Sequence, residues 1–399
     1  MNKKIKILRI INRFNLGGPT YNAAYLTKYL GDEFETLLVG GEKYEKEESS
    51  EFILEKLGIR PIMIPEMQRS INRKNDTIAY RKIKQIIKEF QPDIVHTHAS
   101  KAGTLGRLAA RKMKVPVIVH TFHGHIFHSY FGQLKTKFYK NIERYLAKRS
   151  TKIIAISDIQ KSELANQYKI CESQKIEVIP LGFDLDRFQE NVIEKRKSFR
   201  EKYLLKEDEL AIGIIGRLVP VKNHELFINS ITQIKKVTSK KIRVFIIGDG
   251  EHKDKLIDDV KRINLDYVEW NKNQFPATLT FTSWIKNIDW ANAGLDIIAL
   301  TSYNEGTPVS LIEAQASNKP IVTTNVGGIE NIVMKNETAF ITNSNNQQEF
   351  VEALLKLIED DDLRKKMSEK GWEYVQHKFS YNRLVTDMRD LYFSLLNNN

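Results

Sequence analysis

Residues 303–313 read Tyr303-Asn304-Glu305-Gly306-Thr307-Pro308-Val309-Ser310-Leu311-Ile312-Glu313 and hold two glutamates eight positions apart. They follow an apolar run at 295–300, so the sequence predicts a strand, a glycine turn and then a helix with Pro308 in its first position. Free N–H groups at a helix N-terminus bind anions, and a nearby carboxylate can accept hydrogen bonds from sugar hydroxyls. The segment predicts a site for a phosphorylated, hydroxyl-rich ligand, unless both glutamates are ordinary surface acids.

Strand-like and helix-like segments alternate along the whole chain. The strand-like runs lie at 5–11, 36–39, 61–64, 93–97, 115–120 and 152–156, and then at 210–216, 242–248, 279–283, 295–300, 320–323 and 338–341. This alternation predicts an α/β protein with parallel sheets. Because 399 residues exceed one core, we expect two Rossmann-like doubly wound domains, 1–182 and 189–378, facing a central cleft. The last helix, about 380–399, is expected to pack back onto the first domain.

Most of the net charge of +12 is concentrated in one region. Between Lys101 and Lys152 there are twelve basic residues and one acid, Glu143. Aromatic side chains such as Phe138 and Tyr145 are interleaved with them. This pattern indicates either an anionic membrane surface as partner or a solvated face on a core-packed helix. A nucleic-acid partner is not expected, because it would not account for the glycine-bearing loops of the second half described below, which suit phosphate binding.

Cysteine usage and hydropathy bear on the compartment. Cys171 is the only cysteine, and no run of 18 apolar residues exists. We therefore expect a reducing, cytoplasmic location without a membrane-spanning helix. The basic region 101–152 adds the expectation of peripheral attachment to the inner face of the cell membrane.

Glycine-bearing loops follow several of the predicted strands. Gly17-Gly18 precedes a helix in the first half, and the second half opens with a loop that carries Arg217 and Lys222. Two fixed cations in a strand-to-helix loop suit a diphosphate, although a solvated loop would look the same. Further glycine loops lie at 248–250 and 325–330. Loops at the carboxyl ends of parallel strands are expected to converge on one site.

Histidines are concentrated in the first half. They are His96, His98, His120, His123, His125 and His128. Such clusters serve metal binding, acid–base chemistry or substrate binding. No accompanying cysteine or carboxylate set suggests a metal site, so we expect neither a metal ion nor a cofactor. The Asp184-Leu185-Asp186 run matches a short metal signature, but its place between the two halves favours a linker.

Taken in order, these motifs resemble the retaining glycosyltransferases of family 4, which have the GT-B fold. The resemblance extends over nearly the whole chain. It is carried by Gly17-Gly18, Asp93-Ile94-Val95-His96-Thr97-His98, His123, Ile156-Ser157, the Gly182-Phe183-Asp184 hinge that ends at Phe188, Arg217 with Lys222, and Glu305 with Glu313. Asn223 departs from the family pattern, in which glycine usually follows the lysine.

The resemblance implies roles for residues of the second half. Arg217 and Lys222 would neutralise the donor diphosphate and stabilise its charge as it leaves. Glu313 would bind the ribose, and Glu305 would face the donor sugar. Backbone N–H groups from Thr307 to Leu311 would help to hold the sugar and the phosphates, and Gly306 and Pro308 belong to the same donor-binding stretch.

In the first half, the resemblance places His123 beside the reaction centre. It would contact the donor sugar, and its backbone carbonyl would steady an oxocarbenium-like transition state. Gly17 and Gly18 would line the acceptor and diphosphate side. His98 is a further acceptor-side candidate.

The implied activity is hexosyl transfer from a nucleotide diphosphate-sugar, with UDP expected, and with retention of configuration. The basic surface and the composition favour a lipid-linked glycan in bacterial surface polysaccharide or glycan assembly as the acceptor. No pair of carboxylates flanks a single bond, as a glycoside hydrolase requires, so catalysis would be mainly electrostatic. The alternatives are a sugar-nucleotide 2-epimerase of similar fold and a transferase that acts on a small soluble acceptor.

Overall fold

The computed structural model describes residues 3–15, 17–43, 49–68, 70–124 and 133–397. These residues form two compact units. The first comprises residues 1–183 together with 378–399, and the second comprises residues 184–377. Each unit contains one seven-stranded sheet, and every pair of neighbouring strands is parallel.

In its described residues, the first unit has seven strands and the helices that alternate with them. Its strands are β1 Ile5–Arg13, β2 Phe34–Gly41, β3 Ile62–Met63, β4 Ile94–His98, β5 Val117–Phe122, β6 Lys152–Ala155 and β7 Ile176–Val178. Its helices in this part of the chain are α1 Gly18–Lys28, α2 Glu51–Lys56, α3 Arg73–Phe90, α4 Ser100–Lys112, α5 Gln133–Lys148 and α6 Asp158–Ser162.

The second unit repeats the same alternation. Its strands are β8 Glu209–Ile215, β9 Lys241–Ile247, β10 Tyr267–Glu269, β11 Leu279–Ser283, β12 Ile297–Leu300, β13 Ile321–Thr324 and β14 Ala339–Thr342. Its helices are α7 Val192–Lys202, α8 His224–Ile234, α9 Lys253–Arg262, α10 Ile288–Gly294, α11 Val309–Ala316, α12 Gln347–Glu359 and α13 Asp361–Ser368. Two further helices follow, α14 Gly371–Phe379 and α15 Tyr381–Asn397, and α15 belongs to the first unit.

The strand order is that of doubly wound sheets. It is β3-β2-β1-β4-β5-β6-β7 in the first unit and β10-β11-β9-β8-β12-β13-β14 in the second. In both, the first strand of the unit lies in the interior of the sheet, and later strands are added first on one side of it and then on the other. The prediction of two Rossmann-like α/β domains is therefore confirmed. Within the described ranges, none of the helices has the length and apolarity that a membrane crossing needs.

Side chains of β1 alternate between the two faces of the first sheet, and helices cover both faces. Leu8 and Ile10 pack in one buried cluster with residues of α3 and α4. Ile7 points to the other face and packs with Leu26 of α1 and Leu384 of α15. Side chains alternate across a strand, so a strand buried on both faces is apolar at nearly every position. Burial on both faces therefore explains the near-continuous apolar run from which β1 was predicted.

A larger buried cluster forms the core of the second unit. It joins Ile212 and Ile214 of β8 and Val244 of β9 to Phe227 of α8 and Leu354 of α12. The short helix α10 lies against α7, where Gly294 contacts Phe199: a Cβ added to Gly294 would lie 2.1 Å from a ring carbon. This close packing requires glycine at position 294.

The described structure corrects two details of the sequence interpretation. Helix α11 begins at Val309, one position later than predicted, because Pro308 is the N-cap and has an extended conformation (φ −69°, ψ 104°). Arg107, counted with the basic surface, is buried with Glu143, and their side chains form an ion pair of 2.6 Å between α4 and α5. This pair contributes to packing within the unit and adds no charge to its surface.

A buried arginine connects the last helix to the first strand. Arg9 of β1 is fully buried and donates to the hydroxyl of Tyr392 at 3.1 Å and to the carbonyl of Leu26 at 3.2 Å. The carbonyl belongs to the last turn of α1, where the helix dipole favours a cation. Polar contacts and apolar packing together hold α15 against this sheet.

We expect Leu384→Ala to destabilise the first unit by about 2 to 5 kcal/mol, because Leu384 is 3% exposed and the substitution leaves a cavity. Asp390→Ala, at an exposed position of the same helix, is the matched control and should change stability by less than about 0.5 kcal/mol. Urea titration of the full chain measures both values. Equal stabilities for the two variants would show that α15 contributes little to the unit.

Candidate functional site

Four loops of the second unit meet at the carboxyl edge of its sheet. They follow β8, β9, β12 and β13, which are neighbours in the sheet. The N–H of Leu218 donates to the carbonyl of Asp249, and the N–H of Tyr303 donates to the carbonyl of Val221. These bonds of 3.0 and 2.8 Å join the β8 loop to the β9 and β12 loops.

Two glycines allow these loops to approach closely. A Cβ on Gly248 (φ 145°) would lie 1.9 Å from the carbonyl oxygen of Gly216, and a Cβ on Gly327 (φ 56°) would lie 1.7 Å from that of Glu305. Both residues also have backbone conformations that L-residues rarely adopt. Only glycine satisfies both conditions. The glycine loops at 248–250 and 325–330 thus support the β8 and β12 loops.

An ion pair lies at the centre of this edge. The Lys222 ammonium contacts a carboxylate oxygen of Glu305 at 2.5 Å, and the hydroxyl of Ser302 donates to the same oxygen at 2.6 Å. The side chains of Lys222 and Glu305 are 20% and 11% exposed. One cation and one carboxylate from different loops are therefore held side by side in a partly desolvated position.

Buried hydroxyls fix the loop that carries Lys222. Thr301 is fully buried, and its hydroxyl lies 3.1 Å from the carbonyl of Lys222 and 2.9 Å from that of Asn223. Asn223 adopts the left-handed conformation (φ 49°, ψ 50°), which asparagine tolerates better than most residues. Asparagine can therefore take the position where the family usually has glycine.

Arg217 and the start of α11 lie at the same edge. Arg217 is exposed, and the described part of the chain offers its guanidinium no ion pair. The N–H groups of Val309 and Ser310 at the start of α11 have no acceptor within the helix, whereas that of Leu311 donates to the carbonyl of Pro308 at 3.1 Å. Gly306 faces open space, since a Cβ there would meet no atom within 4 Å. A free cation, free N–H groups and open space are the elements of an anion site.

Glu313 has different surroundings from Glu305. Its carboxylate lies 3.7 Å from the guanidinium of Arg187, and its side chain is 15% exposed. Burial raises the pKa of Glu313 to about 7, and the Arg187 charge opposes that rise. The two glutamates of the 303–313 stretch therefore contact different cations.

The first unit presents its own candidates at the carboxyl edge of its sheet. Gly17 and Gly18 lie where the chain passes from β1 to α1, with α1 beginning at Gly18. His98 ends β4, and His123 directly follows β5. The sheet order places β1, β4 and β5 side by side, so these residues occupy neighbouring strand ends.

Four of the six clustered histidines are described, and two of them are joined by a hydrogen bond. Nδ1 of His98 lies 2.8 Å from Nε2 of His123. His96 and His120 are fully buried and bond to hydroxyls of Thr121 and Thr97. His125 and His128 lie outside the described residues. The roles assigned to His98 and His123 remain predictions.

The site residues missed by sequence reasoning act through other residues. Ser302 and Thr301 hold Glu305 and Lys222, and Arg187 contacts Glu313. Ser302 and Thr301 directly follow β12, and this position after a predicted strand is the sequence signal that could have identified them. Among the described residues, no group of three or more His, Cys, Asp or Glu side chains is arranged to hold a metal ion. The expected lack of a metal and of a cofactor remains a prediction.

Comparison with known proteins identifies the family of each part of the chain. A family model described as Glycosyltransferase Family 4 matches residues 16–187, and one described as Glycosyl transferases group 1 matches residues 195–373. A relative from Escherichia coli, UDP-Gal:alpha-D-GlcNAc-diphosphoundecaprenol alpha-1,3-galactosyltransferase, is 31% identical over 85% of each chain. The capsular polysaccharide biosynthesis glycosyltransferase CapM of Staphylococcus aureus is 27% identical over 83% of this chain and 86% of its own.

A similar fold is found among solved structures. Anabaena HepE in complex with UDP and glucose has a TM-score of 0.80 and 19% identity, with 98% of this chain and 100% of that chain covered. The likeness covers both units and confirms the GT-B fold class. Sequence and fold together show that this chain belongs to the family 4 glycosyltransferases and is a hexosyltransferase.

Proposed function

We propose that this enzyme transfers a hexosyl group from a UDP-sugar to a hydroxyl of a lipid-linked glycan in bacterial surface polysaccharide assembly, with retention of configuration. The observation that carries the proposal is the group of Arg217, Lys222 and Glu305 at one sheet edge. The activity named for the Escherichia coli relative, with UDP-Gal as donor and a diphosphoundecaprenol-linked sugar as acceptor, supports both substrate classes.

The reaction exchanges one bond to the anomeric carbon for another. The bond from C1 of the sugar to the diphosphate oxygen breaks, and a bond from C1 to the acceptor oxygen forms on the same face. The proton of the acceptor hydroxyl passes to the diphosphate oxygen, so UDP leaves with the bonding electron pair and no further base is needed. The main task of the protein is then to stabilise charge on the leaving group.

Arg217 and Lys222 are suited to that task. Arg217 is exposed and can donate to two phosphate oxygens at once. The Lys222 ammonium has three donors, so it can keep its contact with Glu305 and also donate to a phosphate. Glu305, oriented by Lys222 and Ser302, would then accept hydrogen bonds from sugar hydroxyls. The proposal assigns no step to a metal ion.

A lipid-linked acceptor requires access to a membrane, and the first unit has a surface that suits one. A groove of about 650 Å³ between α3, α4 and α5 is lined by Leu105, Leu108 and the half-exposed Tyr145. Arg111 and Lys112 lie at its edge, both exposed and without an ion pair among the described residues. Apolar and aromatic side chains beside free cations favour anionic lipid headgroups.

We expect Arg217→Ala and Lys222→Gln to lower kcat with a UDP-sugar by about a hundredfold to a thousandfold, because each removes charge stabilisation of the leaving diphosphate. Lys236→Ala, at an exposed position of the same unit, is the control and should keep normal kcat. Thermal unfolding checks that the variants are folded. Normal turnover in both folded site variants would exclude the assigned role, and the anomeric coupling in the product NMR spectrum tests retention.

We expect UDP affinity to depend on the ionisation of Glu313. A carboxylate accepts hydrogen bonds from two ribose hydroxyls, and a pKa of about 7 means that most Glu313 is protonated near pH 6. Lowering the pH from about 8 to about 6 should weaken UDP binding to the wild type about tenfold more than to Glu313→Gln. Calorimetry measures the UDP affinity of both proteins at both pH values. Comparing the wild type with Glu313→Gln also cancels the effect of the titration of UDP itself. Parallel pH profiles for both proteins would remove Glu313 from the ribose site.

The same pKa shift has a consequence for stability. Between its unfolded pKa of 4.5 and its folded pKa of about 7, Glu313 holds more proton in the folded state. Its contribution to stability is therefore full below about pH 4.5 and is lost as the pH rises through about 7. Glu313→Gln should lack this contribution to the pH dependence, and urea titration at several pH values provides the check.

We expect the enzyme to bind vesicles of phosphatidylcholine with phosphatidylglycerol, and to bind pure phosphatidylcholine weakly. Each cation near an anionic surface contributes about 1 kcal/mol, so the pair Arg111→Glu and Lys112→Glu should weaken binding more than about tenfold. The pair Lys365→Glu and Lys366→Glu, exposed on α13, makes the same charge change and should leave binding normal. Equal losses in a flotation assay would indicate a non-specific charge effect in place of a docking face.

A further inference from the structure

The contact between His98 and His123 joins two neighbouring strand ends. Their bonded nitrogens are 2.8 Å apart, and their ring centroids are 5.1 Å apart with planes inclined by 28°. His98 is 1% exposed, and His123 is partly buried. The remaining nitrogens, Nε2 of His98 and Nδ1 of His123, are buried and have no hydrogen-bond partner in the described part of the chain.

The protons on the two rings determine which hydrogen bonds the pair can form with a ligand. A neutral imidazole carries one N–H and one acceptor nitrogen. The bond between His98 and His123 uses one N–H and one acceptor, so one donor and one acceptor remain, at opposite ends of the pair. If Nδ1 of His98 carries the proton, Nδ1 of His123 is a donor. If Nε2 of His123 carries it, Nδ1 of His123 is an acceptor. A sugar hydroxyl, which both donates and accepts, fits either arrangement.

The surroundings keep the pair neutral. Burial lowers the pKa of His98 well below its usual range, and burial lowers the pKa of His123 to about 4. The charged and titratable groups packed around His98 also lower its pKa. They are Arg9 from β1, His96 from β4 and His120 from β5, while Arg107 from α4 is paired with Glu143 from α5.

The ring of His96 forms a fixed platform behind the pair. Its Nδ1 lies 3.1 Å from a guanidinium nitrogen of Arg9, which can only donate, so this nitrogen is an acceptor. The hydroxyl of Tyr392, 2.6 Å away, must therefore donate to it as well. Nε2 then carries the proton and donates to Thr121 at 2.7 Å. The His96 ring lies 4.2 Å from the His98 ring.

We propose that His98 is a positioning residue for His123, and that in this neutral pair Nδ1 of His123 binds a sugar hydroxyl, with His96 and Tyr392 fixing the His98 ring. His98 determines which nitrogen of His123 carries the proton and holds the ring at the strand end. The hydroxyl can belong to the donor sugar or to the acceptor. This inference rests on the proposed sugar transfer for the identity of the ligand, but not for the tautomeric coupling of the two rings.

Two substitutions at position 98 separate positioning from packing. His98→Phe keeps a ring against His96 and removes the bond to His123, whereas His98→Asn can place an amide near the former Nδ1. We expect His98→Phe to lower kcat about tenfold to a hundredfold, with little change in KM for either substrate. We expect His98→Asn to recover most of this loss. His120→Asn, a buried control whose bond runs to Thr97, should leave kcat normal.

The kinetic outcomes decide between positioning and direct contact. A higher KM for the donor or the acceptor with unchanged kcat would mean that His98 itself binds that substrate, and it would overturn the positioning role. Equal kcat in the wild type and His98→Phe would also overturn it. Tyr392→Phe removes only the hydroxyl behind His96 and should lower kcat less than His98→Phe does. A larger effect at position 392 would contradict the proposed order of the network.

Imidazole nitrogen NMR on the full-length, histidine-labelled protein tests the coupling without any turnover. We expect His123 to be neutral near pH 6 and its tautomer distribution to change in His98→Phe but not in His120→Asn. A cationic His123, or one unaffected by His98→Phe, would overturn the inference. If the wild type transfers no sugar from UDP-sugars while the NMR result holds, the proposed function fails and the paired histidines remain.

Discussion

Parallel pairing of every strand is the constraint on which the rest of each unit depends. When all strands run in one direction, their carboxyl ends meet at one edge, and the loops that leave them are forced together. In the second unit this brings Lys222 from the β8 loop against Glu305 from the β12 loop, although 83 positions separate them. In the first unit it brings His98 against His123 at the ends of β4 and β5.

The two edges have different electrostatic character. The edge of the second unit combines the exposed Arg217, the Lys222–Glu305 ion pair and the N-terminus of α11, so it is polar and suited to a charged ligand. The edge of the first unit presents neutral imidazoles, because burial and the nearby Arg9 charge disfavour their protonation. A charged diphosphate and neutral sugar hydroxyls are the ligands that these two environments favour.

Support for both sites comes from buried polar groups that hold the site residues in place. Thr301 holds the backbone of Lys222, and Ser302 holds the Glu305 carboxylate. In the first unit, Tyr392 reaches from α15 to His96 and Arg9. Because an unpaired buried polar group is costly, such networks restrict the backbone to few arrangements. Helix α15 thereby contributes both apolar packing and buried hydrogen bonds to its unit.

The sequence alone determined the class of fold and the edge at which chemistry should occur. Apolar runs at strand spacing and glycine loops after them depend only on neighbouring residues, and they predicted twelve of the strands in two parallel sheets. The sequence did not reveal the short strands β7 and β10, which have three residues each and too little pattern. The sequence interpretation also counted Arg107 with the basic surface. Its burial with Glu143 could not be predicted, because that burial depends on how α4 and α5 pack.

Tertiary structure alone decided which side chains act together. The spacing of Glu305 and Glu313 could not show their partners, which are Lys222 for Glu305 and Arg187 for Glu313. Likewise, a run of histidines could not show that His98 bonds to His123 while His96 bonds to Tyr392. Local patterns fix where a strand ends, whereas hydrogen-bond and ion-pair partners depend on distances between segments far apart in the chain, and only the folded arrangement of the strands sets those distances.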